Sequence, residues 1–201
     1  MFSVSGVDSP FYPACWVVGS YLGLPPSTAG YNIGGLLYSE SSVTPTAINS
    51  IGCGGLNGFC PGSLPSGITM SAFRGLSASE QLTKWIGPWW LRRVKQYGGI
   101  DDIGDLYWLN YWPATYKRGQ SDSAIVNPHV AALDAALAHG KTYVTKGDMI
   151  QFLSGRCRGH RWDAIALNLA SYAVPGPTLP MLGAAVAGAA ALGVWWYVLT
   201  K

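Results

Sequence analysis

A mainly α-helical domain followed by a C-terminal transmembrane or membrane-inserting helix is the architecture this sequence predicts, on three observations. Its 201 residues are about one domain's worth, 49% hydrophobic, 12% aromatic and only 11% charged, against about 25% charged in an average soluble domain. Large faces must therefore be covered by a core, by lipid or by both. Capping signals and apolar spacing of helical type recur along residues 1–172, with no convincing run of alternating strand residues. Leu179 to Leu199, LPMLGAAVAGAAALGVWWYVL, runs twenty-one residues without a charge, and about 20 helical residues span a bilayer core.

The elements follow in order. Residues 1–26 form an N-terminal segment with a short helix near 11–22, ended by Gly-Leu-Pro-Pro. Its opening, MFSVSGVDSPFYPACW, lacks the basic stretch and apolar core of a cleavable signal peptide. A domain over 27–172 begins with a helix from near Ser27, where Ser or Thr can cap, to about Ser41. Residues 42–71 are thirty residues of Gly, Ser, Thr, Pro and Asn with scattered apolar anchors, and loops of that length are usually functional. SASE, residues 77–80, reads as a capping box opening a helix through Gln81, Leu82, Trp85 and Ile86 toward Arg93, which Pro88 should bend. Further helices are expected over 102–111, 129–138 and 146–154, and no internal repeat is visible. The Pro-rich segment 173–180 is a hinge, since three prolines cannot continue a helix. Beyond it lies the membrane helix, 181–201, whose Trp195, Trp196 and Tyr197 suit an interface and whose Lys201 suits headgroups. Its small residues Ala184, Gly188 and Gly193 also allow close packing with protein, hence self-association or contact with other proteins.

Composition excludes some function classes. The net charge of +3 is small, with Arg156, Arg158 and Arg161 the main basic group, so no specific nucleic-acid partner is expected. The balance suits an anionic polymer such as a cell wall. Cys15, Cys53, Cys60 and Cys157 make no CxxC pairs and lie far from the three histidines, so no zinc site is expected. Cys53 and Cys60 bracket a Gly-rich loop, and the sequence leaves open whether they are bonded or packed as free thiols.

The chain has two glutamates, and their contexts differ. Glu80 is the third helical position of the capping box, where a carboxylate satisfies backbone donors and complements the helix dipole. Glu40 closes a helix, where the dipole disfavours negative charge, and follows the apolar Ile33, Leu36, Leu37 and Tyr38. Burial and the helix C-terminus would both favour its protonated form, which a general acid needs.

Glu40-Ser41, then Pro45, Ala47 and Asn49, then Gly52-Cys53-Gly54-Gly55-Leu56 with Phe59 and Pro61, resembles the glutamate-serine and glycine-leucine signatures of the phage-type lytic transglycosylases. LSASEQLTKWIGPWW and DIGDLYWLNYWPA are similar to two later helices of phage-encoded members, and NPHVAALDAALAHGKTYVTKGDMIQFLSGR to a segment that often trails them, so the likeness covers about 27–155. It implies a lysozyme-like fold and cleavage of the bond between N-acetylmuramic acid and N-acetylglucosamine in peptidoglycan. Glu40 would be the single acid and base, and Ser41 would orient it or touch substrate. Asn49, Gly55, Leu56, Asn57 and Phe59 would line the glycan groove, with Tyr107, Asn110 and Tyr111 as candidates for the family's later Tyr-Asn pair and for sugar stacking. Two departures stand out. Many members carry Gln just after Gly-Leu, where this chain has Asn57 and Gly58. Relatives often carry a calcium-type spacing of aspartates in the trailing segment, where this chain has Ala135, Ala136 and Ala138, so no metal or other cofactor is expected. The resemblance places the protein in a virion, membrane-associated and acting at the host envelope for genome delivery or lysis. The alternative is a catalytically weak or inactive lysozyme-like structural protein of a virion, inserting in a membrane or forming part of a genome-ejection conduit.

Overall fold

The computed structural model describes residues 4–129, 135–156 and 160–172, and it is mainly helical. Helix α1, Phe11–Tyr21, is apolar on almost every side, so it must be covered all round. It packs against α2, Ala29–Ser41, and α9, His160–Tyr172, and the Trp16 indole N–H donates to Leu169 O at 3.2 Å. Small residues set this approach: a Cβ on Gly19 would stand 2.7 Å from Ala29 O, and one on Gly30 would strike the Trp16 ring. Residues of the N-terminal segment such as Val7, Phe11 and Leu22 therefore share one core with the other described helices. Thr28 stands at the α2 N-cap but does not cap; its hydroxyl is engaged with Pro25 O and Asn32 Nδ2.

Helix α2 packs against α1, α9 and the later helices Ile103–Tyr111 and Lys146–Arg156, and its Ile33, Leu36 and Leu37 are fully buried in one cluster with Phe11, Leu82, Trp90 and Leu106. After the long loop come α3, Met70–Arg74, capped by the Thr69 hydroxyl, and α4, Ala78–Glu80. The expected capping box is formed, with Ser77 and Glu80 each satisfying the other's backbone N–H. From α4 the chain continues through a π-helical segment, Gln81–Ile86, into α5, Gly87–Gln96. Gly87 N–H reaches back five residues to Leu82 O. Pro88 has no N–H and its ring crowds the preceding turn, and the disturbance expected there takes the form of this widened π turn.

Helix α6, Ile103–Tyr111, is capped by Asp102, whose side chain accepts from Asp105 N–H. A 3₁₀ turn, Pro113–Thr115, follows. Strand β1, Ile125–Asn127, then pairs antiparallel with β2, Val144–Thr145, which leads into α8, Lys146–Arg156. Between the strands lies α7, Ala135–Ala138. The Lys146 ammonium, 3% exposed, sits 2.8 Å from Asp105, which is fully buried, and 2.7 Å from Asp102, locking α8 to α6. Burial alone would push the Lys146 pKa down, but the hydrogen-bonded charges of Asp102 and Asp105 outweigh it and hold the value above the ordinary range.

Several expectations need correction. The strand pair was not legible, because three and two residues are too few to show alternation. Helix α9 was likewise unexpected, although His160–Tyr172 falls inside the domain read from sequence. The helix expected over 129–138 does not include His129, which lies in a bend; it is seen at Ala135–Ala138, and 130–134 lie outside the described residues. The hinge and the membrane helix, 173–201, also lie outside them. Among the described residues no helix is long and apolar enough to cross a membrane.

Candidate active site

Glu40 stands on the last turn of α2, half-buried, at the point where the chain leaves the core. Ser41 turns back onto its own helix: its hydroxyl donates to Leu37 O at 3.1 Å and accepts from Thr44 N–H at 3.3 Å. The next two residues are strained, Ser42 at φ 54° and Val43 at φ 49°. A β-branched residue rarely adopts that conformation. Burial of the Val43 side chain and the Arg161 guanidinium hold it, the latter donating to Val43 O at 3.0 Å and to the Thr44 hydroxyl at 3.0 Å.

Beyond this corner the loop folds back over α2. Gly54 bridges to both Ile48 and Phe59, and Cys53 and Cys60 are joined in a disulfide, which settles the alternative left open by sequence. Asn49 acts within the loop, its side-chain oxygen accepting from Ile51 and Cys53 N–H at 3.1 and 2.9 Å. Gly55 adopts φ +74°, and a Cβ there would collide with the Phe73 ring. Gly58, at φ +58°, faces the acid: a Cβ there would stand 3.2 Å from Glu40 Oε2. Any side chain at 58 would crowd the carboxylate, so glycine is what brings this backbone against Glu40.

The remaining candidates divide by burial. The side chains of Leu56, Phe59 and Tyr107 are core: Leu56 is fully buried, Tyr107 is 4% exposed, and Phe59 packs on Phe73 and Trp89 with ring centroids 5.6 and 5.0 Å away. Asn57 is also buried, and its orientation is dictated by a chain of donors. The Trp90 indole can only donate, and it donates to Asn110 Oδ1 at 3.1 Å. The Asn57 group at 2.8 Å from that same oxygen must then be its NH₂. Its own carbonyl oxygen is left buried without a hydrogen bond. Tyr111, half-buried at the end of α6, receives a hydrogen bond at 3.3 Å from the amide of buried Asn127 on β1. The structure thus brings Glu40, Ser41, Gly58 and the Asn57–Asn110–Trp90 set to one end of the helical core.

Sequence reasoning missed Gln81. It is fully buried, its carbonyl accepts from Leu56 N–H at 2.9 Å, and its NH₂ donates to Pro45 O at 3.0 Å and Leu76 O at 3.3 Å. It clamps the Gly-Leu turn to the loop after Glu40. The signal was a lone amide on the apolar face shared with Leu82 and Ile86. Replacing Gln81 by Leu should cost about 2 kcal/mol in urea unfolding, because the Leu56 N–H and Pro45 carbonyl would lose their partner in the interior.

Among the described residues six other acids are committed elsewhere, and Asp122 and Asp163 are exposed. Glu80 is held ionised, its pKa pushed below the ordinary range first by its hydrogen bond to Lys84 and then by Ser77 N–H. Asp101 pairs with Arg118, Asp102 and Asp105 with Lys146, Asp148 with Lys141, and Asp8 binds Ser79. Among the described residues no group of three His, Cys, Asp or Glu side chains is arranged to hold a metal ion. Cys15 is fully buried and its thiol is pushed well up by desolvation, leaving it unreactive. No protein-family model matches the chain, and no curated protein or solved structure matches it.

Proposed function

We propose that this chain is a virion-associated lytic transglycosylase of the lysozyme-like class, cutting the N-acetylmuramic acid to N-acetylglucosamine bond of peptidoglycan with Glu40 as its one acid and base. The observation that carries this reading is the single carboxylate at the C-terminal end of a core helix, with the Gly58 backbone of a disulfide-closed loop folded against it. Glu40 protonates the glycosidic oxygen as its bond to C1 breaks. The resulting carboxylate accepts the proton of the sugar's own 6-hydroxyl as O6 bonds to C1, so the product is a 1,6-anhydro ring and no water is consumed. One carboxyl performs both transfers, unlike the paired scheme of most glycosidases. The Cys53–Cys60 disulfide supports an oxidising setting such as a particle or envelope, and the charge-free segment Leu179 to Leu199 supports lipid as a partner.

A second reading keeps the scaffold and drops the chemistry, and one observation favours it: Asn57, near where members of the family carry Gln, is turned into the interior toward Asn110. In that case the protein is a structural component of a virion. Incubating the full-length chain with purified sacculi and reading released fragments by mass spectrometry separates the cases. Anhydromuramyl ends are expected. Reducing ends alone would make the protein a hydrolase, and no release would leave the structural reading.

A further inference from the structure

Separate from Glu40, the chain lines an open cleft of about 540 Å³, within the size range of small-molecule sites, roughly 300–1,000 Å³. Arg74 of α3 and Arg161 of α9 both line it, with the hydroxyl residues Ser5, Thr44, Thr46 and Ser77; no acidic residue does. Both guanidiniums are half-buried and anchored to the loop that follows Glu40. Arg161 donates to Ser5 O, Val43 O and the Thr44 hydroxyl, and Arg74 to Thr46 O and Ala47 O. These bonds fix the two forks but use only part of the five N–H donors that each guanidinium carries.

They also leave the charge uncompensated, because carbonyls and hydroxyls supply dipoles and no net charge. Among the described residues the ion pairs are made by Lys84, Arg118, Lys141 and Lys146, and neither Arg74 nor Arg161 has a carboxylate partner. Asp8, close in sequence to Ser5, is turned to the N–H and hydroxyl of Ser79 instead. Two fixed positive charges with spare donors in a hydroxyl-lined cleft are complementary to an anion.

We infer that this cleft is a binding site for a phosphate group. Phosphate carries about −1.5 to −2 at neutral pH, which offsets both guanidiniums, whereas a carboxylate would offset one. The planar Arg fork matches phosphate oxygens in pairs, and the Ser5 and Thr46 hydroxyls can complete the shell. Free phosphate and a terminal phosphate monoester present this charge in full, and a phosphodiester of an envelope polymer or lipid headgroup presents the same paired oxygens with one charge fewer. The inference does not depend on the role of Glu40.

The test follows the Nε–H signals of Arg74 and Arg161 by NMR in the full-length chain, in maltoside detergent, at constant ionic strength. Inorganic phosphate should shift both signals saturably in the millimolar range, with acetate at least about tenfold weaker, the difference expected for one charge-assisted interaction. Arg74→Gln and Arg161→Gln should each weaken phosphate binding by about tenfold or more. Glycerol 3-phosphate and a glycerol phosphodiester identify the source. Equal binding of the diester points to a polymer or lipid phosphate, and binding of monoesters alone to free or terminal phosphate. If phosphate gives no saturable shift, if acetate binds equally well, or if both variants retain the parental affinity, the cleft is no anion site and the arginines serve only to hold the loop. The titration of the parental chain decides the question even if a variant fails to fold.

Discussion

Glutamine in place of Glu40 should lower sacculus digestion by at least about 100-fold while leaving the circular dichroism spectrum and unfolding midpoint nearly unchanged. The amide has almost the same shape as the carboxyl, so it keeps the packing at the end of α2 and beside Gly58. It cannot give up a proton, and a positioned general acid contributes about 10²- to 10⁴-fold. Glu80→Gln is the control. Glu80 caps its helix and pairs with Lys84 on the surface, so its loss should cost at most about 1 kcal/mol and spare activity. A turbidity assay in which Glu80 proved essential and Glu40 dispensable would overturn the assignment.

Lys146→Met should be the most destabilising of the substitutions considered, at about 3–5 kcal/mol in urea unfolding of the full-length chain. The side chain is 3% exposed and faces Asp105, which is fully buried. Removing the ammonium leaves an uncompensated carboxylate in the interior, a defect of that magnitude. Removing both charges in Lys146→Met with Asp105→Leu should recover much of the loss, since an apolar pair of similar size needs no desolvation. If the double variant were as unstable as the single one, the cost would lie in packing and not in charge. Because the folded pKa of Lys146 is raised, its contribution is fully present below the unfolded value of about 10.4 and is lost as pH rises through the folded value. Near neutral pH that contribution is complete, so this group should add nothing to the pH dependence of the unfolding free energy there.

The parts legible in sequence are those whose interactions are local. Ser77 and Glu80 satisfy each other three residues apart, Asp102 caps Asp105 N–H at the same spacing, and the apolar rows of α1 and α2 lie within single helices. The contrast between the two glutamates was readable for the same reason: each one's distance from its helix end is a local property. The charge-free stretch after residue 178 is likewise a fact of sequence.

What the tertiary structure alone decided depends on residues far apart in the chain. Gln81 meets Leu56 across 25 positions, Asn57 meets Asn110 across 53, and Arg161 meets Val43 across 118. No periodicity encodes such pairs. Tyr107 and Tyr111 occupy the same short helix, yet the first is core and the second is half-exposed beside Asn127, because burial is set by what packs on a face and not by residue type. The Cys53–Cys60 bond was undecided in sequence because it requires the loop to fold back through Gly54, a closure made by backbone pairing with Ile48 and Phe59. The sequence by itself determined most of the helices, the caps at Ser77 and Asp102, and the place of Glu40 at a helix end. Only the packed fold decided which polar groups meet around it, since a buried donor or acceptor takes the partner that long-range packing brings within reach.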